Sequence, residues 1–424
     1  MKIVDVNNFS TKRDVETGTD EQRQAVLQIL SAVKQEGDAA VRRFTEKFDG
    51  VRLEQLTVTN EEIVAALAET SEEVLEALKE AAENIRTFHE KQARQSWMQT
   101  SPTGTLLGQI IRPLKRVGIY VPGGRAAYPS SVLMNALPAK VAGVEEIVMV
   151  TPPDKEGRID PGVLSAAKIA GVTEIYKVGG AQAVAALTYG TDTIKPVDKI
   201  VGPGNIYVAL AKREVFGLVD IDMVAGPSEI VVLADEQANP VYIAADLLSQ
   251  AEHDPMASAV LVTTSETLAA QVQAELESQL AELPRREIAE ASIRDYGAIC
   301  VVNDLQQGIQ IVNQLAPEHL ELMIQDPFQY IGQIENAGAI FLGEYSSEPI
   351  GDYFAGPNHV LPTNGTARFS SPLNVDDFIK KSSLISYSKT DLLNNGSKII
   401  ALAESEGLTA HARAIEFRLK KERG

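Results

Sequence analysis

The stretch 226–253, GPSEIVVLADEQANPVYIAADLLSQAEH, decides how the rest of the chain is read. Gly226-Pro227-Ser228-Glu229 forms a polar turn that feeds an apolar, strand-like run over 230–234. From Pro240 the apolar residues Val241, Ala244, Leu247 and Leu248 recur at helical spacing, so the second half reads as a helix opened by proline. That helix is expected to end in Gln250-Ala251-Glu252-His253. Residues three apart share a helix face, so Gln250 and His253 are expected to point at one object. A carboxamide oxygen and an imidazole nitrogen aimed at one point can hold a metal ion. The plainer reading is a helix end whose histidine caps carbonyls and favours the dipole.

The same texture extends outward. From about Leu106, candidate strands at 117–121, 147–151, 174–178, 199–201, 230–234, 259–263, 298–302 and 339–342 are separated by helical stretches rich in alanine, such as 161–170 and 205–215. Strand–helix alternation predicts an α/β fold, a parallel sheet with helices on both faces. The first hundred residues read as helices at 21–36 and 38–48, then a long run 72–95 capped by Ser71. His89 lies on that charged run beside Glu90 and reads as a solvated histidine, and Trp97 falls in a polar break. From Asn374 the chain returns to helices, the last over 409–423.

At 424 residues the chain predicts two or three domains. Its 44% hydrophobic and 23% charged residues are those of a soluble globular protein. A formal net charge of −19 argues against a nucleic-acid partner and suits a small cationic substrate. The single cysteine, Cys300, excludes an intrachain disulfide framework and a cysteine-rich zinc site, and in its apolar run it reads as a buried thiol. No apolar run reaches membrane-spanning length and residues 1–10 lack a signal-peptide core, so no membrane partner and a cytoplasmic location are expected.

Four glycine-rich turns fall where α/β folds bind ligands, beyond strand ends: Pro122-Gly123-Gly124, Gly179-Gly180-Ala181-Gln182, Gly202-Pro203-Gly204-Asn205 and Gly226-Pro227-Ser228. Glycines let backbone amides approach a phosphate, and a following helix N-terminus favours the anion. No full G-x-G-x-x-G is present. Each turn alone is consistent with a tight strand–helix connection, and their succession points to a nucleotide or dinucleotide.

Three further histidines sit beside acids or in glycine-rich turns. Ala316-Pro317-Glu318-His319 sets a carboxylate next to an imidazole. The loop 351–359 carries Asp352 and His359, and 406–411 brings Glu406 and His411 around a turn. Each has a plain reading as a cap, a loop closure or a solvated first turn. Taken together, Gln250, His253, Asp352 and His411 make a mixed nitrogen and oxygen set that zinc or manganese accepts, and Glu318 with His319 remains as an acid–base pair.

Over almost its full length the chain resembles the histidinol dehydrogenase family. The segments that carry the resemblance are VGIYVPGG (117–124), VGGAQAVAALTYGT (178–191), KIVGPGN (199–205), AGPSE (225–229), DLLSQAEH (246–253), LAPEHLEL (315–322), GDYFAGPNHVLPT (351–363) and EGLTAH (406–411). It implies two incomplete Rossmann-like parallel-sheet domains with helical N- and C-terminal extensions. Their expected bounds are an arm over 1–20, a first α/β domain from 21–116 and 230–373 on the metal and substrate side, a second over 117–229 on the NAD side, and a C-terminal dimerisation segment over 374–424. It implies one Zn2+ per subunit held by Gln250, His253, Asp352 and His411, with the substrate's imidazole and amino nitrogens completing the shell. His319 is implied as the base for the alcohol proton and Glu318 as the group that activates water. Ser228, His359 and Glu406 match substrate-contacting positions, and Tyr120, Gln182 and Asn205 match NAD contacts.

The reaction so implied is oxidation of L-histidinol to L-histidine through an aldehyde, with two NAD used in turn, in a homodimer with shared active sites. An imidazole neutral near pH 7 suits the alcohol step, and a second base suits hydration of the aldehyde. The rival readings are a related zinc and NAD enzyme acting on another small alcohol, such as a sulfonated diol, and a dimeric metal-binding module without catalysis. His319, His359 and Glu406 favour histidinol over the first, and the Glu318-His319 pair speaks against the second.

Overall fold

The computed structural model describes residues 1–6, 9–10, 18–123 and 127–423. Gly124, the end of one predicted turn, lies outside the described residues. The chain divides into two compact units, 1–92 with 114–378, and 93–113 with 379–424.

The chain opens with β1 (Lys2–Asp5) and four helices, α1 (Asp20–Glu36), α2 (Asp38–Asp49), α3 (Asn60–Glu69) and α4 (Glu72–Glu90). Thr19 with Gln22, and Thr59 with Glu62, form capping boxes that satisfy the first amides of α1 and α3. Ser71 caps α4 as its sequence suggests, but the helix stops at Glu90. Two antiparallel strands follow, β2 (Trp97–Thr100) and β3 (Leu106–Pro113), so Trp97 opens a strand and not a break.

The expected alternation then appears: β4 (Arg116–Tyr120), α5 (Pro129–Ala142), β5 (Glu146–Thr151), α6 (Pro161–Ala170), β6 (Glu174–Lys177), α7 (Gly180–Tyr189), β7 (Lys199–Val201), α8 (Ile206–Val215) and β8 (Asp220–Ile221). These strands form a parallel sheet in the order β6-β5-β4-β7-β8. Alternate side chains feed two cores, as a period of two requires. Val117, Ile119, Ile147 and Met149 pack towards α4, α5 and α6, while Tyr120, Val148, Val150 and Ile200 pack towards α1, α7 and α8. Helices α1 to α4 thus cover this sheet.

The second run comprises β9 (Glu229–Ala234), α9 (Pro240–Ala251), β10 (Ser258–Thr263), α10 (Glu266–Leu280), α11 (Arg286–Tyr296), β11 (Ala298–Val301), α12 (Leu305–Leu315), β12 (His319–Met323), β13 (Ala339–Leu342) and α13 (Glu348–Tyr353). Its strands join β1 in a six-stranded parallel sheet, β1-β11-β10-β9-β12-β13. One face, with Ile230, Val232, Leu261 and Met323, packs on α9, α10 and α11; the other, with Val231, Leu233, Leu320, Leu322 and the buried Cys300, packs on α12. The second unit holds β14 (Ile379–Ser386), α14 (Lys389–Ser405) and α15 (Thr409–Arg423), with β14 antiparallel to β3. The expected C-terminal helices are therefore preceded by a strand, whose sequence IKKSSLIS is too polar to announce itself. Among the described residues no helix is long and apolar enough to cross a membrane.

His89 is not solvated. It is fully buried, its Nδ1 donates to Gln92 Oε1 at 2.7 Å, and its Nε2 faces the Asn358 amide at 3.5 Å. Burial pulls its imidazole below the usual histidine range, so it braces the loop before His359 as a neutral ring. One face of α4 is charged, but His89 lies on the other.

The turn after β7 shows how tightly the loops are held. Gly202 has φ +107°, its amide donates to Asp222 Oδ2 at 2.8 Å, and its carbonyl accepts from Lys212 Nζ at 2.9 Å. A Cβ there would lie 2.2 Å from the Tyr120 carbonyl oxygen, which belongs to a strand and cannot step aside. Gly202→Ala is expected to lower unfolding free energy by about 3 kcal/mol through backbone strain and overpacking. An unchanged urea midpoint would contradict this account of the turn.

Candidate active site

A cavity of about 590 Å³ opens between the C-terminal edge of the five-stranded sheet and the N-terminal edge of the six-stranded one. Pro122 and Pro203 to Ile206 wall it on one side; Ser228, Glu318 and His319 wall it on the other. The turn Gly226-Pro227-Ser228 thus serves the beginning of β9, whereas the other three glycine turns follow strand ends.

His319 begins β12, which pairs with β9 at Ile230 and with β13 at Ala339. Odd-numbered residues of β12 face α9, so His319 and Glu321 share that side. Nδ1 of His319 lies 3.1 Å from the Glu229 carbonyl oxygen, which can only accept, so Nδ1 carries a hydrogen and Nε2 is the free base of the neutral ring. Nε2 lies 3.4 Å from Asp352 Oδ1. Glu318 Oε2 accepts from the Glu229 amide at 2.9 Å and lies 3.7 Å from His319 Nδ1. One residue's backbone, that of Glu229, therefore orients both members of the pair.

α9 carries Gln250 but stops at Ala251; His253 follows in a tightened turn, its amide bonded to the Gln250 carbonyl at 3.3 Å. Gln250 is 1% exposed, and its Oε1 is buried without a hydrogen-bond partner. Such an orphan needs an explanation, and it lines the cavity. His253 also lines the cavity. Although much of its surface is open there, the protein packed around it pulls its imidazole below the usual range despite Asp352, keeping it a neutral donor. Asp352 comes from α13, one turn after Glu348, so the two share a helix face. His319, Glu348 and Asp352 place their ligand atoms within 4.8 Å of one another, a grouping that could hold a metal ion.

His359 Nδ1 donates to the Asp352 carbonyl at 3.0 Å, and its Nε2 faces Ser131 Oγ at 3.3 Å. Burial lowers it, so it too is neutral. Ser228 and Asn205 line the cavity, the latter also capping α8 through the amides of Tyr207 and Val208. Tyr120 and Gln182 do not line it. Tyr120 is buried, with its hydroxyl accepting from the Gly180 amide at 3.0 Å at the start of α7, and Gln182 Oε1 is likewise buried without a partner. Glu406 is the C-cap just after α14 and His411 lies in the first turn of α15; both are exposed and belong to the second unit.

The sequence reading missed Glu348, Asp246 and Glu321, all buried. Glu348-Pro349 before Asp352, at four-residue spacing after a proline-opened helix start, was the available signal for the first.

Charges are crowded here, and burial sets most of their pKa values. Burial pushes Glu318 up to about 8 even though His319 and the Glu229 amide favour its charged form. Burial alone would lower His319, but Glu318, Asp352 and Glu348 outweigh it and hold the ring up, at about 10. The two partners thus respond differently: the imidazole gains from the carboxylate, while the carboxylate still rises because its desolvation is the larger cost. Burial would raise Asp352 as well, but above all hydrogen bonding to His319, with the neighbouring imidazoles, holds it well below the carboxylate range.

Glu318 and His319 both bind protons more tightly folded than unfolded. Their stabilising contribution is complete below about pH 4.5 for Glu318 and 6.5 for His319, and is lost as pH rises through about 8 and about 10. Protein stripped with a chelator should therefore show a urea midpoint that falls from pH 7, where the lowered histidines are already neutral, to pH 9, with a shallower fall in Glu318→Gln. A flat or rising midpoint would contradict these environments.

Comparison with known proteins matches the histidinol dehydrogenase family pattern over residues 12–419. The histidinol dehydrogenase of Halalkalibacterium halodurans is 65% identical over 424 residues, covering 100% of both chains. That of Bacillus subtilis is 60% identical, covering 99% of each. The crystal structure of histidinol dehydrogenase from Elizabethkingia anophelis superposes with a TM-score of 0.93 at 42% identity, covering 98% of this chain and 95% of that one.

Proposed function

The chain belongs to the histidinol dehydrogenase family, oxidoreductases of histidine biosynthesis, and from that premise we propose that it oxidises L-histidinol to L-histidine through a retained aldehyde, using zinc and two NAD in succession. The observation that carries the reading is the meeting, at one cavity wall, of Glu318 and His319 with Gln250, His253 and Asp352.

The donor set fits a divalent cation. Gln250 offers a buried oxygen with no partner, His253 a neutral imidazole, and Asp352 an ionised carboxylate. The fourth ligand in this reading is His411 of a second copy, with Glu406 beside it as a substrate contact. Their exposure leaves both free to reach a neighbouring subunit. When bound, the zinc ion would template the substrate's nitrogens, and NAD would accept the hydride of each oxidation. Asn205 at the cavity wall and the amide-rich start of α7, near Tyr120 and Gln182, suit the phosphates of NAD.

The chain's own residues then divide the proton work. His319 Nε2 takes the alcohol proton, with Nδ1 fixed on the Glu229 carbonyl. Glu318 is the largest influence that holds His319 up, and with a cation held by Asp352 the charge of Asp352 would no longer add to it, which would favour the neutral ring a base needs. Glu318 takes a proton from the water that adds to the aldehyde carbon, giving the hydrate whose oxidation yields the carboxylate. Ser228 and His359 lie in the cavity wall where they orient the substrate's polar groups.

Two NADH are expected per histidinol, with no free aldehyde released. Glu318→Gln should slow oxidation of added aldehyde by about 10²-fold while sparing the alcohol step more, and His319→Asn should damage the alcohol step at least as much. Accumulation of free histidinaldehyde by the unmodified protein would reject the single-site scheme.

A further inference from the structure

Two of the motifs behind the family resemblance contain acids that this scheme leaves unused, Asp246 in DLLSQAEH and Glu321 in LAPEHLEL. Asp246 lies on α9 one turn before Gln250, and Glu321 lies on β12 two residues after His319, on the same face of the strand. They are 7% and 1% exposed. Asp246 Oδ2 and Glu321 Oε2 are both buried without a donor from the rest of the protein. Burial, helped by the charge of Asp246, raises Glu321, so a single hydrogen shared by the two carboxyls would satisfy both. The remaining oxygen of Glu321, Oε1, accepts from the Glu348 amide at 2.9 Å, the first residue of α13. From α9, Ser249 Oγ donates to Glu348 Oε2 at 3.0 Å.

The carboxyl pair therefore ties together the three elements that carry the site: α9 with Gln250, β12 with His319, and α13 with Asp352. We propose that Asp246 and Glu321 are positioning residues, whose shared hydrogen bond holds Gln250 and Asp352 at the spacing their common ligand requires. The proposal rests on the ligand assignment made above. Groups behind a metal's direct ligands fix the orientation of those ligands, and their loss typically costs about 10- to 100-fold in metal affinity.

The test compares variants that keep the bond with variants that remove it at similar volume. Asp246→Asn and Glu321→Gln each retain a donor or acceptor at the contact; Asp246→Leu and Glu321→Met do not. Two quantities are read on the full-length protein: Zn2+ affinity by competition with a chromogenic chelator, and deuterium uptake of the α13 peptide, which needs no metal. The amide variants should stay within about threefold of the unmodified affinity with unchanged uptake. The apolar variants, if their circular dichroism is unaltered, should lose about 10- to 100-fold in affinity and exchange faster over α13. Rescue by the amides separates positioning from mere packing.

Apolar variants with unmodified affinity and uptake would overturn the proposal, as would a folded amide variant that loses affinity more than tenfold. Should neither apolar variant fold, the amide arm decides alone. Failure of the unmodified protein to bind Zn2+ would count against the ligand assignment, and the α13 uptake would still decide whether the pair positions that helix.

Discussion

His319 Nδ1 donates to the Glu229 carbonyl oxygen at 3.1 Å, and the Glu229 amide donates to Glu318 Oε2 at 2.9 Å. These two bonds join the start of β12 to the start of β9, where parallel pairing has already set the register of His319 against Ile230. The ladder of the sheet is thus continued by side chains at its edge. Because a backbone carbonyl only accepts, the tautomer of His319 follows from the fold, and so does the direction in which its basic nitrogen looks. Any shift in the pairing of β12 by one residue would turn His319 and Glu321 towards α12 and bury Leu320 against α9 instead.

The cavity exists because two parallel sheets present opposite ends to it. The five-stranded sheet contributes its strand C-termini, with glycine turns and the start of α8, a setting suited to a phosphorylated cofactor. The six-stranded sheet contributes its N-termini and supplies acids and imidazoles. Several of those are buried, which raises the carboxyl groups of Glu318, Glu321 and Glu348 well above the ordinary glutamate range. Desolvation of this kind costs stability and is tolerated where hydrogen bonds or a cation compensate it. Gln250 Oε1, buried with no partner, is the plainest mark of a site shaped for something beyond its own side chains.

Much of this was legible in the sequence. The runs 199–201, 161–170 and 339–342 coincide with β7, α6 and β13, because apolar β-branched runs and proline- or glycine-bounded alanine stretches are strong local signals. β12 was not, since HLELM places His and Glu in a wholly buried strand and so hides it from any hydrophobic count. β14 was hidden by its lysines and serines, and β2 by its shortness. His89 was misread because helical periodicity shows which residues share a face but not which face meets a neighbour. At the site, Gln250 with His253 and Glu318 with His319 were visible as spacings, and the family resemblance named their roles. The pairing of Asp246 with Glu321 was invisible, because those residues meet only through the crossing of α9 and β12.

The central claim is that Gln250, His253 and Asp352 form one metal site beside an acid–base pair, completed by a second copy of the chain. Anomalous diffraction at the zinc absorption edge, from crystals grown with Zn2+ and histidinol, tests it most directly. The account predicts one strong peak per subunit within bonding distance of Gln250 Oε1, His253 and Asp352, with His411 of a neighbouring subunit as the remaining protein ligand. A peak held instead by His319, Glu348 and Asp352, with Gln250 Oε1 still unpartnered, would contradict it.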